Sequence, residues 1–234
     1  MTGSNNLKEN IIYGIFLVLG LITVGFVLLI SIYLIIAGLP AIREIGLIDF
    51  LFGTKWASTA AEPKFGILPF ILTSVYGTAG AVIIAIPVGF FTAVYISKIA
   101  PKWVRTWVSG AVNLLAGIPS VVYGLVGMMV LIPGIRVVFN VPDGATLLAA
   151  IIVLSIMILP YIISVSVTSL DAVPKSYEDA SLALGANHIE TYFRVSVPAA
   201  KSGIAAAVVL GVGRAIGEAM AVIMVSGNVA NMPG

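Results

Sequence analysis

Four stretches of this chain carry no charged side chain over lengths that few soluble domains sustain. They run from Asn10 to Ile42, between Lys64 and Lys98, between Arg105 and Arg136, and between Asp143 and Asp171. A helix needs about 20 apolar residues to cross the hydrocarbon core of a bilayer, which places spans at roughly 11–37, 70–97, 107–132 and 146–169. A fifth apolar segment, at roughly 203–225, is the right length for a span but is interrupted by Arg214 and Glu218. Only 9% of the residues are charged and 60% are hydrophobic, against about 25% charged in soluble domains. The first run is too long for the core of a signal peptide, about 7–15 residues, and no small-residue cleavage site follows it. It reads as a retained helix in an all-α integral membrane protein with a single transmembrane domain over 1–234.

Loop charges orient the spans. Lys98, Lys102 and Arg105 stand together between the second and third spans with no acid among them, and the loop 171–202 carries Lys175, Arg194 and Lys201. Both loops fall on one side if every span crosses, and excess Lys and Arg mark that side as cytoplasmic. The amino terminus is then cytoplasmic. The loop 38–69 is outside, with Arg43, Lys55 and Lys64 balanced by Glu44, Asp49 and Glu62, and so is 133–145. The carboxyl terminus emerges outside after five spans.

Composition and motifs exclude several chemistries. A net charge of +2 does not suggest nucleic acid as a partner. With no cysteine and one histidine, His188, no metal centre is expected; His188 itself reads as a surface or packing residue. A phosphate-cradling loop needs glycines ahead of Lys-Ser. The two Lys-Ser pairs, Lys175-Ser176 and Lys201-Ser202, follow Pro174 and Ala200, so the chain is not expected to bind ATP in that way. Neither a nucleophile elbow nor a zinc-binding HExxH helix is present.

Glycine and proline interrupt the spans at Pro87, Gly117, Pro119 and Pro160. Ordinary kinks explain them, since both residues are common in membrane helices. Alternatively Gly117-Ile118-Pro119-Ser120 marks a bend lining a pathway, as broken helices do in transporters. The segment 171–202 is too long for a simple turn. Pro174 and Ser176 suit a helix start, and Glu178 and Asp179 sit in a first turn where the helix dipole favours acids. Gly185 suits its end. The pattern predicts a short helix, a glycine turn and a second short helix reaching Pro198. Such a hairpin either docks on a partner protein or lies on the membrane surface.

This segment resembles the signature loop of the membrane subunits of ATP-binding-cassette importers. That signature is Glu-Ala-Ala, three residues, Gly, nine residues, then Ile-x-Leu-Pro. Here Asp179, Ala180 and Ser181 fill the first places, Gly185 the glycine, and Val195, Val197 and Pro198 the close, with spacing intact. Asp replaces Glu, Ser replaces Ala, and Val replaces Ile and Leu. The resemblance implies a type I permease-like bundle whose loop 171–202 enters a groove of a separate ATPase dimer. ATP and Mg would then belong to that partner, and the chain itself holds no cofactor and is not an enzyme. Gly185 would permit the turn, and Asp179 would pair with or cap contacts at the interface.

The second constellation is Gly211-Val212-Gly213-Arg214-Ala215-Ile216-Gly217-Glu218-Ala219-Met220. An Arg or Glu near the middle of a span costs about 2.5–3.5 kcal/mol to insert, so neither is expected to face lipid. Arg214 and Glu218 are four apart and would share a helix face. Gly213 and Gly217 would let another helix approach closely. The pair either neutralises itself between helices, or Arg214 lines an anion pathway. Guanidinium suits a tetrahedral oxyanion because its planar fork offers several donors and keeps its charge. Glu218 would then hold Arg214 or weaken its grip enough for release.

The Gly-Arg-Ala-Ile-Gly-Glu-Ala-Met stretch resembles the permeases of phosphate-specific importers. So do Phe50-Leu51-Phe52-Gly53-Thr54-Lys55-Trp56 and Phe65-Gly66-Ile67-Leu68-Pro69, which look more like the C-type permease than the A-type. What the resemblance implies is a phosphate pathway shared with an A-type permease in a prokaryotic inner membrane. An ATPase dimer would act inside, and a phosphate-binding protein would act outside. That family has six spans and this chain five, so the sixth is expected to be missing. Three rival readings stay open: a permease for sulfate or molybdate, an ATP-independent anion channel or secondary transporter, and a non-transporting scaffold.

Overall fold

The computed structural model describes residues 3–228 and 232, with side chains from Lys8 onward. Met1 and Gly234, on which the expectations for the two termini fall, lie outside the described residues. Two compact units divide the chain at Leu68.

In the first unit, α1 (Gly3–Ile45) is apolar on all faces between Ile11 and Ile42, as a helix in lipid must be. It runs past the expected span of 11–37 and through Pro40 into what was expected to be the outer loop 38–69. Its stop is Gly46, whose φ of +90° is costly for any residue with a Cβ. The Gly46 N–H closes on the Ile42 carbonyl at 3.0 Å. Beyond it, α2 (Leu47–Phe52) leads to a two-stranded antiparallel ribbon of β1 (Trp56–Ala57) and β2 (Lys64–Phe65). The rings of Trp56 and Phe65 meet edge to face, 5.7 Å between centroids. Gly53 and Gly66 let two backbones cross so closely that a Cβ on either would strike the other's main chain. The expected outer-loop motif is thus a folded cap held by glycine contact.

The second unit is all helical and built around α7 (Leu147–Asp171). Packed on α7 are α3 (Leu68–Val94), which ends in a π turn at Tyr95–Ile99, and α4 (Lys102–Gly117). So are α5 (Ser120–Val126), its continuation through a π turn at Gly127–Leu131 into α6 (Ile132–Phe139), and later α11 (Lys201–Ile216) and α12 (Met220–Val225). The buried residues of α3 include Gly77, Ala81, Ala85, Gly89 and Ala93, a small residue at every fourth position. Such a stripe lets membrane helices approach to backbone contact, where dispersion replaces the hydrophobic effect that lipid removes. The larger residues of α7 fill it. A Cβ on Gly80 would lie 2.7 Å from Ile151, and Ile162 wedges between Gly89 and Gly211.

Among the described residues, four helices are long and apolar enough to cross a membrane: Lys8–Ile45, Leu68–Ile99, Ser120–Phe139 and Leu147–Asp171. A fifth arises if His188–Ala199 and Lys201–Ile216, bent by 70°, count as one span. Two expected spans are therefore corrected. The third, expected as one helix over 107–132, is broken at Ile118-Pro119, and its membrane-length part is Ser120–Phe139. Proline lacks an N–H and pushes the residue before it out of the helical region; Ile118 is extended at φ −72°, ψ 129°. The helix then continues into the expected outer loop 133–145 and stops at Asn140, which is left-handed. The fifth, expected over 203–225, breaks once, at Gly217–Ala219, and a further bend at Ala200 precedes it. By contrast α3 and α7 run through Pro87 and Pro160 without interruption.

Candidate functional site

The break at Gly117–Pro119 leaves the last carbonyls of α4 without helical partners, which is expensive inside a membrane. Two tyrosines supply donors. The Tyr123 hydroxyl donates to the Leu115 carbonyl at 2.8 Å, and the Tyr161 hydroxyl donates to the Ala116 carbonyl at 3.5 Å. The same Tyr161 ring lies under Arg214, whose guanidinium carbon is 5.4 Å from the ring centroid. Arg214 thus reaches the broken end of α4 through one residue.

Arg214 and Glu218 do not share one helix face. Their closest atoms are 4.0 Å apart, the limit of an ion pair, because α11 ends at Ile216 and Glu218 lies in the break beyond. The Glu218 carboxylate instead accepts the Ala221 N–H at 3.1 Å, at the start of α12. Its side chain is 7% exposed, whereas that of Arg214 is 41% exposed. They open on different spaces. Glu218 lines a cavity of about 320 Å³ with Thr73, Ser74 and Thr78 of α3. Arg214 lies in an open groove with Tyr161, Ala206, Val209 and Leu210. Among the described residues, no hydrogen bond uses an Arg214 donor, so its fork is available to a ligand.

The second site is the segment after α7. Here α8 (Lys175–Ala183) and α9 (His188–Thr191) flank a turn at Gly185, whose φ is +91°. Asn187 and Glu190 form a reciprocal capping box that starts α9. A π turn at Tyr192–Ser196 leads to α10 (Val197–Ala199). The hydroxyls of Ser181 and Thr191 bond across the hairpin at 3.0 Å. Of the signature positions, Asp179, Ala180 and Gly185 are exposed, Ser181 faces the hairpin interior, and Val195 and Val197 are half-buried beside exposed Pro198. Leu184, next to the turn, is 90% exposed, and Tyr177 and Ile189 are exposed too. His188 sits exposed in the first turn of α9, its ring 6.2 Å from that of Tyr192.

The residue that fastens this hairpin is Glu178, the neighbour of the Asp179 singled out in the sequence. Lys98 donates to the Glu178 carboxylate at 2.6 Å and Ser196 donates to the same oxygen at 2.8 Å. Beside this, Asp171 at the end of α7 accepts from Ser97 at 2.6 Å and pairs with Arg105 of α4. The two basic loops are therefore joined at one end of the bundle. Adjacent residues of one π turn, Ser97 and Lys98, hold both the end of α7 and the start of the hairpin. A sequence signal existed: Lys98 and Arg105 had no acid in their own loop, while Asp171 and Glu178 stood in the other.

Partial burial pushes the Glu178 carboxyl up, but the bonds from Lys98 and Ser196, with the charges of Lys98 and Lys175, outweigh it and hold the group below the usual carboxylate range. A lowered folded pKa contributes stability above the unfolded value that is lost as pH falls through the folded value. The hairpin should therefore loosen in acid below the ordinary glutamate range and stay fastened at neutral pH. Lys98→Met should loosen it already at neutral pH, by about tenfold in hydrogen-exchange protection of 175–199, since a bond to a charged group contributes about 1.5–3 kcal/mol. Equal protection in the variant and the native chain would show that the bond does not hold the hairpin.

Residues 85–233 match the family described as "Binding-protein-dependent transport system inner membrane component". The chain belongs to this family. The matched region of this inner membrane component includes both the hairpin and the Arg214 helix. It is an ABC importer permease subunit with an all-α, multi-pass fold. Over 215 residues it is 42% identical to the "Probable ABC transporter permease protein YqgH" of Bacillus subtilis, covering 91% of this chain and 70% of that protein. It is 35% identical over 230 residues to the "Phosphate transport system permease protein PstC" of Haemophilus influenzae, covering 89% and 72%. A solved chain from inward-facing MetNI, a methionine ABC transporter, is 24% identical with a TM-score of 0.49, covering 64% of this chain and 73% of that one.

Proposed function

We propose that this permease subunit carries inorganic phosphate, as the C-type partner of an A-type permease. The observation that carries the reading is Arg214: a guanidinium on a broken membrane helix, in no hydrogen bond among the described residues, with its nearest carboxylate, Glu218, 4.0 Å away. A tetrahedral oxyanion meets such a fork through charge-assisted bonds. The similarity to PstC of Haemophilus influenzae supports phosphate as that oxyanion. Glu218, beside Arg214 yet turned into its own cavity, limits how tightly the site closes on an anion.

In this reading the basic end of the bundle faces the cytoplasm, and so does the amino terminus. The hairpin, with Asp179, Ala180, Ser181, Gly185, Val195, Val197 and Pro198, enters a groove on a separate ATPase dimer. Its exposed Leu184, Tyr177 and Ile189 support a protein partner, because they project from a polar hairpin at the charged end of the bundle. ATP and Mg act on that dimer, and a phosphate-binding protein delivers the anion on the opposite face. The subunit alternates access to one pathway and performs no covalent step.

The test is uptake into proteoliposomes that hold the complete assembly, with radiolabelled phosphate, sulfate and molybdate in parallel arms. Phosphate uptake that needs the binding protein and ATP is the expected result. Uptake of sulfate or molybdate in its place would overturn the substrate, and phosphate flux without the ATPase would overturn the coupling.

A further inference from the structure

We infer that Tyr161 is the positioning residue that presents Arg214 to the transported anion and ties it to the broken end of α4. The inference rests on the pathway reading of Arg214 and names a residue that neither the signature spacing nor the charged pair singled out.

The argument begins with what else could hold an arginine in a membrane. A carboxylate close enough for paired bonds would hold it firmly, but would occupy the donors an anion needs. Glu218 does not do this: at 4.0 Å it is too far for a hydrogen bond, and its own bond goes to the Ala221 N–H. An aromatic face attracts the cation through its quadrupole and leaves the in-plane N–H edge free. Tyr161 provides that face, 5.4 Å from the guanidinium carbon. It holds the charge while consuming none of the chemistry.

A ring can orient a guanidinium only if the ring itself is fixed. Tyr161 is in α7, the most buried helix, one residue after the fully buried Pro160. Its hydroxyl reaches the Ala116 carbonyl, one residue before Gly117, at 3.5 Å, the long limit of a hydrogen bond. That carbonyl is free to accept because the helix stops at Gly117 and Ile118 is extended, so the N–H of Ser120, four residues on, does not close on it. The break in α4 and the placement of Arg214 are thus two ends of one side chain. When an anion pulls the guanidinium off the ring, the ring loses its load, and the end of α4 loses its tie if the hydroxyl follows.

Three variants separate the ring from the hydroxyl. Tyr161→Leu removes both, Tyr161→Phe removes only the bond to Ala116, and Tyr161→Trp restores a ring. In the complete reconstituted assembly, Tyr161→Leu should raise KM for the transported oxyanion about five- to thirtyfold, the range expected for a cation–π contact in a partly dry site. Tyr161→Trp should recover most of that loss. Tyr161→Phe should keep KM within about twofold and lower the maximal rate, because the ring stays while the tie to α4 is gone. The second readout needs no transport. In the detergent-solubilised chain, modification of Arg214 by an arginine-directed dicarbonyl, followed by peptide mass spectrometry, should quicken several-fold in Tyr161→Leu and not in Tyr161→Trp. A Tyr161→Leu variant with native KM and native Arg214 reactivity would overturn the inference. Assaying sulfate and molybdate beside phosphate keeps it separate from the substrate reading: if another oxyanion is carried, that reading fails while the KM comparison still decides the role of Tyr161.

Discussion

Arg214→Gln should abolish uptake while leaving the subunit inserted and assembled. Glutamine keeps two N–H donors and similar length but loses the charge and the planar fork. Each charge-assisted bond contributes about 1.5–3 kcal/mol, so losing two of them costs roughly 100-fold or more in transport. Insertion should not suffer, because removing a membrane-embedded charge lowers the cost of placing the helix in lipid. Nor should folding, since Arg214 makes no hydrogen bond among the described residues and is 41% exposed in this chain. The measurement is ATP-dependent uptake beside co-purification of the assembly. Normal uptake by an assembled variant would remove Arg214 from the pathway. Arg214→Lys sharpens the outcome: a point charge that restores little activity would identify the fork, not the charge, as the essential element.

Gly185→Asp should detach or uncouple the ATPase. Its effect can be divided in advance. The φ of +91° makes any Cβ there strained, at about 1–3 kcal/mol. Yet a Cβ built at Gly185 meets no atom of the chain within 4 Å. The steric part of any larger effect must therefore come from something outside the chain. Gly185→Ala carries the strain without the charge. If the hairpin is a docking element, Ala should lower coupling modestly, while Asp should reduce ATPase co-purification and transport by about tenfold or more, as an unpaired charge at a desolvated interface does. Unchanged co-purification and transport in Gly185→Asp would count against the docking role.

What the amino-acid pattern revealed follows from how each feature is encoded. The apolar runs were legible because lipid allows no charge over about 20 residues, a constraint written into every position. Helix ends were less so, since each depends on one or two residues read against their neighbours. The first span was expected to end near 37, and α1 ran on to Ile45 before Gly46. Three prolines looked alike, and only Pro119 broke its helix. Pro160 is enclosed by packed neighbours, whereas at the break before Pro119 the hydroxyls of Tyr123 and Tyr161 reach the Leu115 carbonyl, which also accepts the Ile118 N–H, and the Ala116 carbonyl. Those partners lie 8 and 45 residues away in the chain, beyond any local pattern. The same holds for Glu178. Its spacing in the signature made Asp179 conspicuous, but the bond to Lys98 spans 80 positions and appears only when the two loops meet. Small residues on α3 were visible in the sequence, and their period of four is the clue that the reading of its span passed over.

The π turns have a consequence of a different kind. Ser97 and Lys98 lie in one and Ser196 in another, and between them they supply the hydroxyl to Asp171 and both donors to Glu178. A π turn holds one residue more than the α turn it replaces. Removing any single residue from either turn would restore ordinary winding and swing every later side chain round the axis, with no change in the chemistry of those that remain. At these two places the number of residues aims the donors as much as their identity does. Scanning by substitution leaves that number untouched, whereas one-residue deletions and insertions change nothing else so directly.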